Sequence, residues 1–252
     1  KGEEGKVKVT FDASVTASQY VNRMSVLNSE QFGQCLWQAY VNDGLDPNTN
    51  GLGYAYQWGF DGQGNPVLKD MQMRKYLDEA GTTPAADTDW FDQITRTGIV
   101  QQYNLSVSQG GKHGRSFFSV DYYKNMGVIK GSDFDRFSAR ANSDYSFLND
   151  KVKIGENFTL SRTSEVQAPG GILQNALQFN PSLPVYTKDG EYAGPVGGYP
   201  DRENPVARIE RNADNRYTYW RLFGNAFVDV EAYKGLHIRT TAGLDYSQKK
   251  QR

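Results

Sequence analysis

The chain has 252 residues, of which 13% are aromatic and 23% are charged, and its formal net charge is -1. This balance argues against a nucleic-acid-binding protein, which usually carries a basic excess. The mean hydropathy of -0.68 and the lack of an apolar run of about 18 residues exclude a transmembrane helix. They leave a transmembrane β-barrel open, because its strands are short and only half apolar.

Strict alternation of apolar and polar residues is the main pattern in the chain. It begins at residues 7–17, where Val7, Val9 and Phe11 alternate with Lys8 and Thr10. A period of two places successive side chains on opposite faces of a strand. The same pattern returns at residues 100–108, 115–123, 134–145, 152–161, 219–231 and 236–246. We therefore predict an all-β chain that forms an antiparallel up-and-down meander of about seven long strands.

The connections between the predicted strands alternate in length. Short polar or Gly-containing turns lie at residues 109–114, 148–151 and 231–235, whereas residues 18–98 and 162–218 form long loops. Strands of about ten residues are longer than is usual in soluble sheets and match the length that crosses a bilayer at a tilt. Short turns at one end and long loops at the other are typical of outer-membrane barrels.

The long loops contain three predicted short helices. Asn28 and Ser29 are N-cap residues before a helical spacing of apolar side chains, and Asn204-Pro205 has the N-cap and N1 pattern of another helix. A third helix follows Gly170-Gly171. The rest of these loops is rich in Pro and Gly.

A series of short segments, in order along the chain, resembles the SusC/RagA family of TonB-dependent outer-membrane transporters of the Bacteroidetes type. These segments are Thr88-Asp89-Trp90-Phe91-Asp92, Tyr103-Asn104-Leu105-Ser106-Val107, Gly127-Val128-Ile129-Lys130-Gly131, Arg136-Phe137-Ser138-Ala139-Arg140, Asn180-Pro181-Ser182-Leu183-Pro184, Asn204-Pro205-Val206-Ala207 and Gly243-Leu244-Asp245-Tyr246.

The resemblance implies that the chain is a fragment of a transmembrane β-barrel of about 22 strands. Residues 1–6 would be the linker that follows an absent plug domain, and residues 7–252 the first part of the barrel, with extracellular loops at about 18–98 and 162–218. It further implies an outer-membrane nutrient importer of a Gram-negative cell, energised by the TonB complex, with outer-membrane lipid around it. A SusD-like surface lipoprotein would act as its lid, and oligosaccharides or other nutrients are the expected solutes.

Two groups of residues are candidates for contact with a solute. Aromatic side chains in the long loops either pack locally or stack on sugar rings, namely Tyr54, Tyr56, Trp58, Tyr186 and Tyr192. Four arginines on the polar parity of the strands would face the lumen, where they contact either the plug and wall or the permeant: Arg136, Arg140, Arg221 and Arg239.

Glu156 departs from the pattern because it falls at a lipid-facing parity of the 152–161 strand. A charge there is costly near the middle of a bilayer and less costly near an interface. The sequence therefore predicts either a local bulge in this strand or a position near the rim.

Metal, cofactor and enzymatic sites are poorly supported by the sequence. Asp46, Asn48 and Asn50 match the first half of a calcium loop, but Gln57 stands where the closing Glu is needed. The two histidines, His113 and His237, belong to no catalytic motif. We expect no metal, no cofactor and no enzymatic activity.

The alternative from another class is a soluble β-sandwich that binds carbohydrate. A half-exposed antiparallel sheet also has one wet face, so the alternation alone is compatible with it. This alternative predicts that the apolar face of the strands forms a packed core, whereas the importer requires that this face meet lipid.

Overall fold

The computed structural model describes residues 5–21, 23–194 and 202–252. The chain divides into two compact units: a sheet unit (Lys1–Gln19, Thr97–Gln167 and Ala213–Arg252) and a loop unit (Tyr20–Arg96 and Ala168–Asn212). Residues 1–4 of the predicted linker lie outside the described residues, as do residues 195–201 of the second predicted loop.

The described residues form nine strands, and seven of them make one sheet. The strands are β1 (Lys8–Ser18), β2 (Tyr54–Phe60), β3 (Pro66–Met73), β4 (Gly98–Gly111), β5 (Gly114–Met126), β6 (Asp133–Phe147), β7 (Val152–Val166), β8 (Arg216–Tyr233) and β9 (Leu236–Gln251).

The seven-stranded sheet has the order β1-β4-β5-β6-β7-β8-β9, and every neighbouring pair is antiparallel. The predicted meander of seven long strands is confirmed, with strands somewhat longer than the alternation indicated. We call the end of the sheet where the long connections leave the loop end, and the opposite end the turn end. The link between β5 and β6 at the loop end is tight, and in it the Gly127 N–H donates to the Ser132 carbonyl.

The hairpin ends of the sheet are staggered. Gly114, just after the first turn, pairs with Tyr145, two residues before β6 ends at Phe147. Val152, after the second turn, pairs with Val230, three residues before the end of β8. Strands inclined in this way are what a closed barrel requires. β1 and β9 are the two edges of the sheet, and neither has a second partner strand among the described residues.

The apolar face of the sheet is open in the described chain. Phe11 is 64% exposed, Leu160 40% and Leu244 48%, although all three occupy the apolar parity of their strands. The second sheet of the described residues, the β2–β3 hairpin, belongs to the loop unit. A β-sandwich would bury these side chains between two packed sheets, so the β-sandwich alternative is wrong.

Glu156 lies on the apolar face without distorting its strand. Both ladders of β7 run through Glu156 without a register shift, so the predicted bulge is wrong. Its ladder partner Ser143 donates a hydrogen bond to the carboxylate, with Oγ 2.5 Å from Oε1 and 2.6 Å from Oε2. Apolar positions continue past Glu156 to the turn at Ile154 and Val152. The Ser143 hydroxyl thus gives the Glu156 carboxylate a polar partner within an apolar stretch of the face.

The first part of the loop unit is built on helix α1 (Ser29–Asn42) and the β2–β3 hairpin. Asn28 and Gln31 form a capping box at the start of α1, as the N-cap pattern predicted. The phenol groups of Tyr54 and Tyr56 donate to the carbonyls of Ser29 and Gly33 at 2.7 and 2.8 Å. Position 33 of α1 must stay small, because a Cβ on Gly33 would lie 2.5 Å from Tyr54 Cε1.

The second part of the loop unit joins helices α2 (Trp90–Ile94), α3 (Ile172–Gln178) and α4 (Pro205–Arg211). The Trp90 indole donates to the Asn180 carbonyl at 2.9 Å, and its ring meets Phe179 edge-on at 4.7 Å. Asn204 caps α4 and donates through Nδ2 to the Val185 carbonyl at 3.0 Å. The helices at α3 and α4 were predicted, whereas α2 and β3 were not.

Several segments that carry the family resemblance therefore meet in one place. The Thr88 amide and hydroxyl donate to the Pro181 and Leu183 carbonyls at 2.8 and 2.6 Å. These bonds tie residues 88–92 to residues 180–184, about 90 residues apart in sequence. Within the described part of the chain, no helix is both long and apolar enough to span a membrane.

Gly224 is expected to be sensitive to substitution because its strand lies against β7. A Cβ there would lie 2.2 Å from the Asn157 carbonyl oxygen and 2.8 Å from Phe158 Cα, so backbone would have to move. We expect Gly224→Ala to destabilise the β7–β8 ladder by roughly 1–3 kcal/mol. Hydrogen exchange of the Asn157 and Asn225 amides measures this opening. Gly243→Ala is the matched control, since its Cβ would be 3.8 Å from the Gly224 oxygen; equal protection in both variants would contradict the expectation.

Asn50 is expected to hold the loop between α1 and β2. Its amide donates to the Pro47 and Tyr54 carbonyls at 2.6 and 2.8 Å and accepts from the Leu52 amide at 3.0 Å. We expect Asn50→Ala to destabilise this region by roughly 2–4 kcal/mol, because it leaves buried backbone groups unpaired. Limited proteolysis of residues 43–60 in the intact protein would then be faster. Asn42→Ala, at the exposed end of α1, should change the cleavage rate little, and a similar rate for both variants would exclude this role for Asn50.

Candidate functional site

The polar face of the seven-stranded sheet carries the four arginines that the sequence predicts to face a lumen. The ladders pair Arg140 with Thr159 and Thr159 with Phe223, so Arg136 and Arg140 share a face with Arg221. Arg239 joins them through its pairing with Asp229. The register thus places all four on one face of the sheet, as their parity predicted.

Four basic groups on this face have a carboxylate partner. Arg221 binds Asp245 with two contacts, Nε to Oδ1 at 3.0 Å and Nη2 to Oδ2 at 2.7 Å. The other pairs are Arg115 with Asp144 at 2.7 Å, Arg136 with Asp121 at 3.6 Å and His237 with Asp229 at 2.9 Å. Exposed pairs of this kind contribute little to stability, because water screens the charges. Their main effect is to hold charge of both signs in fixed positions along the face.

Arg140 and Arg239 differ from the paired arginines. Arg239 lies over the Phe227 ring at 3.8 Å. Arg140 donates through Nε to Thr159 Oγ1 at 3.4 Å, and no carboxylate of the described residues lies within ion-pair distance of it. A cavity of about 400 Å³ opens beside Arg140, and its lining residues are Asn104, Ser119, Asp121, Arg136, Ser138, Arg140, Thr159 and Ser161. This lining of hydroxyls, amides and charged groups can hydrogen-bond a polar solute.

The aromatic run of the first long loop is divided between core and surface. Tyr54 and Tyr56 are 1% and 5% exposed, and they form a buried cluster with Trp37 and Leu52. Burial raises the pKa of the Tyr56 phenol, since the phenolate would lose its hydration. Packing therefore accounts for these two side chains, and as placed they offer no open ring face to a solute. Trp58 is half-buried and meets the exposed Phe60 edge-on at 5.5 Å.

Tyr186 and Tyr192 lie together in the second long loop. They pair in an isolated β-bridge, their ring centroids are 5.1 Å apart, and Tyr186 is 46% exposed. A hydrogen bond to Glu210 is the main reason why the pKa of the Tyr192 phenol is raised. The bridge therefore presents two aromatic rings side by side in the loop unit, and α4 contributes the carboxylate that orients one of them.

One aromatic site was missed by the sequence reasoning. The Lys188 ammonium lies 3.9 Å from the centroid of the Tyr76 ring, and this lysine lowers the pKa of the Tyr76 phenol. The Lys188 amide donates to the Thr82 carbonyl at 2.9 Å, which joins two distant loop segments. No local sequence signal could have found this contact, because residues 76 and 188 belong to separate loops.

The partial calcium-loop motif of Asp46, Asn48 and Asn50 forms hydrogen bonds to backbone groups. Asp46 accepts from the Asn48 amide, and the Asn48 side chain bonds both the N–H and the carbonyl of Tyr56 at 2.8 and 3.0 Å. The Asn50 side chain is used in the same way. Across the described residues, no group of three or more His, Cys, Asp or Glu side chains is placed to hold a metal ion.

Comparisons with known proteins agree on one group of relatives. The chain is 28% identical over 273 residues to the TonB-dependent receptor SusC of Bacteroides thetaiotaomicron, covering 98% of this chain and 24% of SusC. It is 31% identical over 172 residues to TonB-dependent receptor P3 of Formosa agariphila, covering 63% of this chain and 17% of P3. No protein-family model matches the chain.

The same fold occurs in solved structures of the RagAB peptide transporter. One of them superposes with a TM-score of 0.68 at 18% identity, covering 98% of this chain and 29% of the transporter chain. The structure in the 'open-open' state gives a TM-score of 0.66 with similar coverage.

The chain spans about a quarter of the length of SusC. The names of these relatives describe receptors and a transporter, in agreement with the expectation that the chain is not an enzyme. The sequence matches, the strand order and the two-faced sheet together identify the chain as a segment of a SusC/RagA-type TonB-dependent receptor.

Proposed function

We propose that the chain supplies wall strands and outer loops of an outer-membrane nutrient importer that is energised by the TonB complex. The single observation that carries this proposal is the division of the sheet into a charged, hydroxyl-lined face and an open apolar face. A soluble protein would hide the second face in a core, whereas a membrane wall requires it.

The apolar face is suited to contact with lipid. Tyr103, Phe118, Tyr122, Tyr145 and Tyr246 all lie on this face, and aromatic side chains of this kind concentrate near membrane interfaces. Inside a bilayer every backbone polar group needs a protein partner. The open edges of β1 and β9 therefore call for further strands, and a barrel of about 22 strands would supply them.

The polar face would line the passage. Its paired charges suit a wall that holds a plug in place, and the cavity beside Arg140 suits a permeant with many hydroxyl groups. In this mechanism a solute binds from outside, and force from the TonB complex moves a plug that precedes residue 1. Residues 1–6 act as the linker from that plug, and residues 18–98 and 162–218 act as outer loops.

The proposed solute is an oligosaccharide, captured between the outer loops and a SusD-like lipoprotein lid. The aromatic pair Tyr186 and Tyr192 supports this choice, since aromatic rings stack well on the apolar faces of sugars. Trp58 is a further candidate contact. A peptide is the second candidate solute, because the RagAB structures belong to a peptide transporter.

The membrane orientation of the sheet can be tested by cysteine labelling of the full-length receptor. The native cysteines, including the exposed Cys35, are first replaced by Ser. Single cysteines are then placed at Leu160 or Leu222 on the apolar face and at Ser161 or Asn225 on the polar face. In outer-membrane vesicles, a charged maleimide should label the polar-face cysteines and leave the apolar-face cysteines unlabelled. Detergent denaturation should make all four react, and equal labelling of both faces in intact vesicles would refute the proposed orientation.

The solute site can be tested with the double variant Tyr186→Ala/Tyr192→Ala. Because each stacking ring contributes about 1 kcal/mol or more, we expect uptake or binding of the solute to weaken by at least about tenfold. The assay compares oligosaccharides with peptides, so that it also decides the solute class. Tyr233→Ala is the control, since Tyr233 is 77% exposed near the turn end of the sheet. Unchanged affinity in the double variant would remove the pair from the site.

A further inference from the structure

The apolar face of the sheet carries few ionisable residues, and their positions are uneven. The ladders place seven of them on this face: Lys124, Asp133, Asp135, Glu156, Arg162, Arg216 and Lys250. Six of the seven lie towards the loop end, just beyond the apolar run of their strands. Glu156 is the exception, and its Ser143 partner was described above.

The six residues at the loop end follow the ladders from strand to strand. Lys124 of β5 pairs with Asp135 of β6, which pairs with Ser164 of β7. The same row continues through Thr218 of β8 to Lys250 of β9. Arg162 lies one apolar-face position closer to the turn end than Ser164. We call the four basic residues Lys124, Arg162, Arg216 and Lys250 the basic row.

The basic row is only partly neutralised. Arg162 lies 3.6 Å from Asp135, and both side chains are still partly exposed to solvent, so this pair is weak. Arg216 donates through Nη1 to the Ser164 hydroxyl at 2.9 Å. Among the described residues, no carboxylate lies within ion-pair distance of Lys124 or Lys250. Four cations against two carboxylates leave a net charge of +2 at this edge of the apolar face.

A wall that meets lipid must place such charges at the headgroup level, because they are costly within the hydrocarbon. Basic side chains at that level attract anionic headgroups, at about 1 kcal/mol for each Lys or Arg. Phosphate accepts hydrogen bonds from both the arginine fork and the lysine ammonium.

We propose that the basic row binds the phosphorylated headgroups of membrane lipid at the loop end of the barrel. This inference rests on the proposed function, since it requires the apolar face to meet lipid. Lipid A, whose phosphates lie in the outer leaflet of Gram-negative outer membranes, is the lipid of matching chemistry and position. The wall would thereby be fixed in depth, with the outer loops held on the outer side.

Native mass spectrometry of the full-length receptor, with added lipid A or phosphatidylcholine, tests this assignment. The wild-type receptor should retain lipid A at concentrations where phosphatidylcholine has dissociated, and excess inorganic phosphate should not displace it. Lys124→Gln/Arg162→Gln should weaken lipid A binding by about tenfold or more. Lys124→Arg/Arg162→Lys, which keeps both charges, should retain it.

The matched control is Arg140→Gln/Arg221→Gln, which removes two charges from the opposite face of the same sheet, on strands β6 and β8 that neighbour β7. Equal loss of lipid A in this control, unchanged binding in Lys124→Gln/Arg162→Gln, or equal retention of the two lipids by the wild type would each overturn the inference. The cysteine labelling described above separates the two proposals. If the apolar-face cysteines are protected in vesicles but the receptor does not prefer lipid A, the proposed lipid A binding is refuted and the proposed importer function is not.

Discussion

The pairing of seven antiparallel strands into one continuous sheet is the constraint on which the rest of the structure depends. Because side chains alternate along every strand, the ladders carry the polarity of each strand across the whole sheet. A shift of one residue at any hairpin would move Arg140 or Arg221 to the apolar face. The tight turns prevent such a shift, since Gly235 adopts a positive φ of 82° at the β8–β9 turn and residues 148–150 also take left-handed conformations.

The loop unit depends on a different constraint, the pairing of its backbone polar groups. Its long segments have little repetitive structure, so side chains must satisfy the backbone groups that helices and strands would otherwise pair. Asn50, Asn180 and Asn204 do this from buried positions. The aromatic rings then fill the spaces between segments, as Trp90 does against Phe179. Residues that carry the family resemblance, such as Trp90 and Asn180, thus act here as structural ties.

Charge is used differently on the two faces of the sheet. On the polar face, acidic and basic side chains occur together and several form ion pairs, which limits the net field along this face. On the apolar face, ionisable groups are confined to the loop end except for Glu156, whose carboxylate is bonded to Ser143. This arrangement fits a surface that changes from lipid hydrocarbon to headgroups along its height. The two faces of one sheet thus present different charge patterns, because the ladders keep the side chains of each parity on one side.

The sequence by itself determined the seven strands, the two faces of the alternating stretches, and helices α1, α3 and α4, because period-two alternation and capping residues are local signals. It could not determine which aromatic residues are buried. Tyr54 and Trp58 share one parity on β2, yet α1 covers the first and leaves the second half-open. The tertiary structure also decided the environment of Glu156, the contact of Lys188 with Tyr76 and the alignment of the basic row. Each of these depends on ladder register or on residues distant in sequence, and no local pattern records such distances.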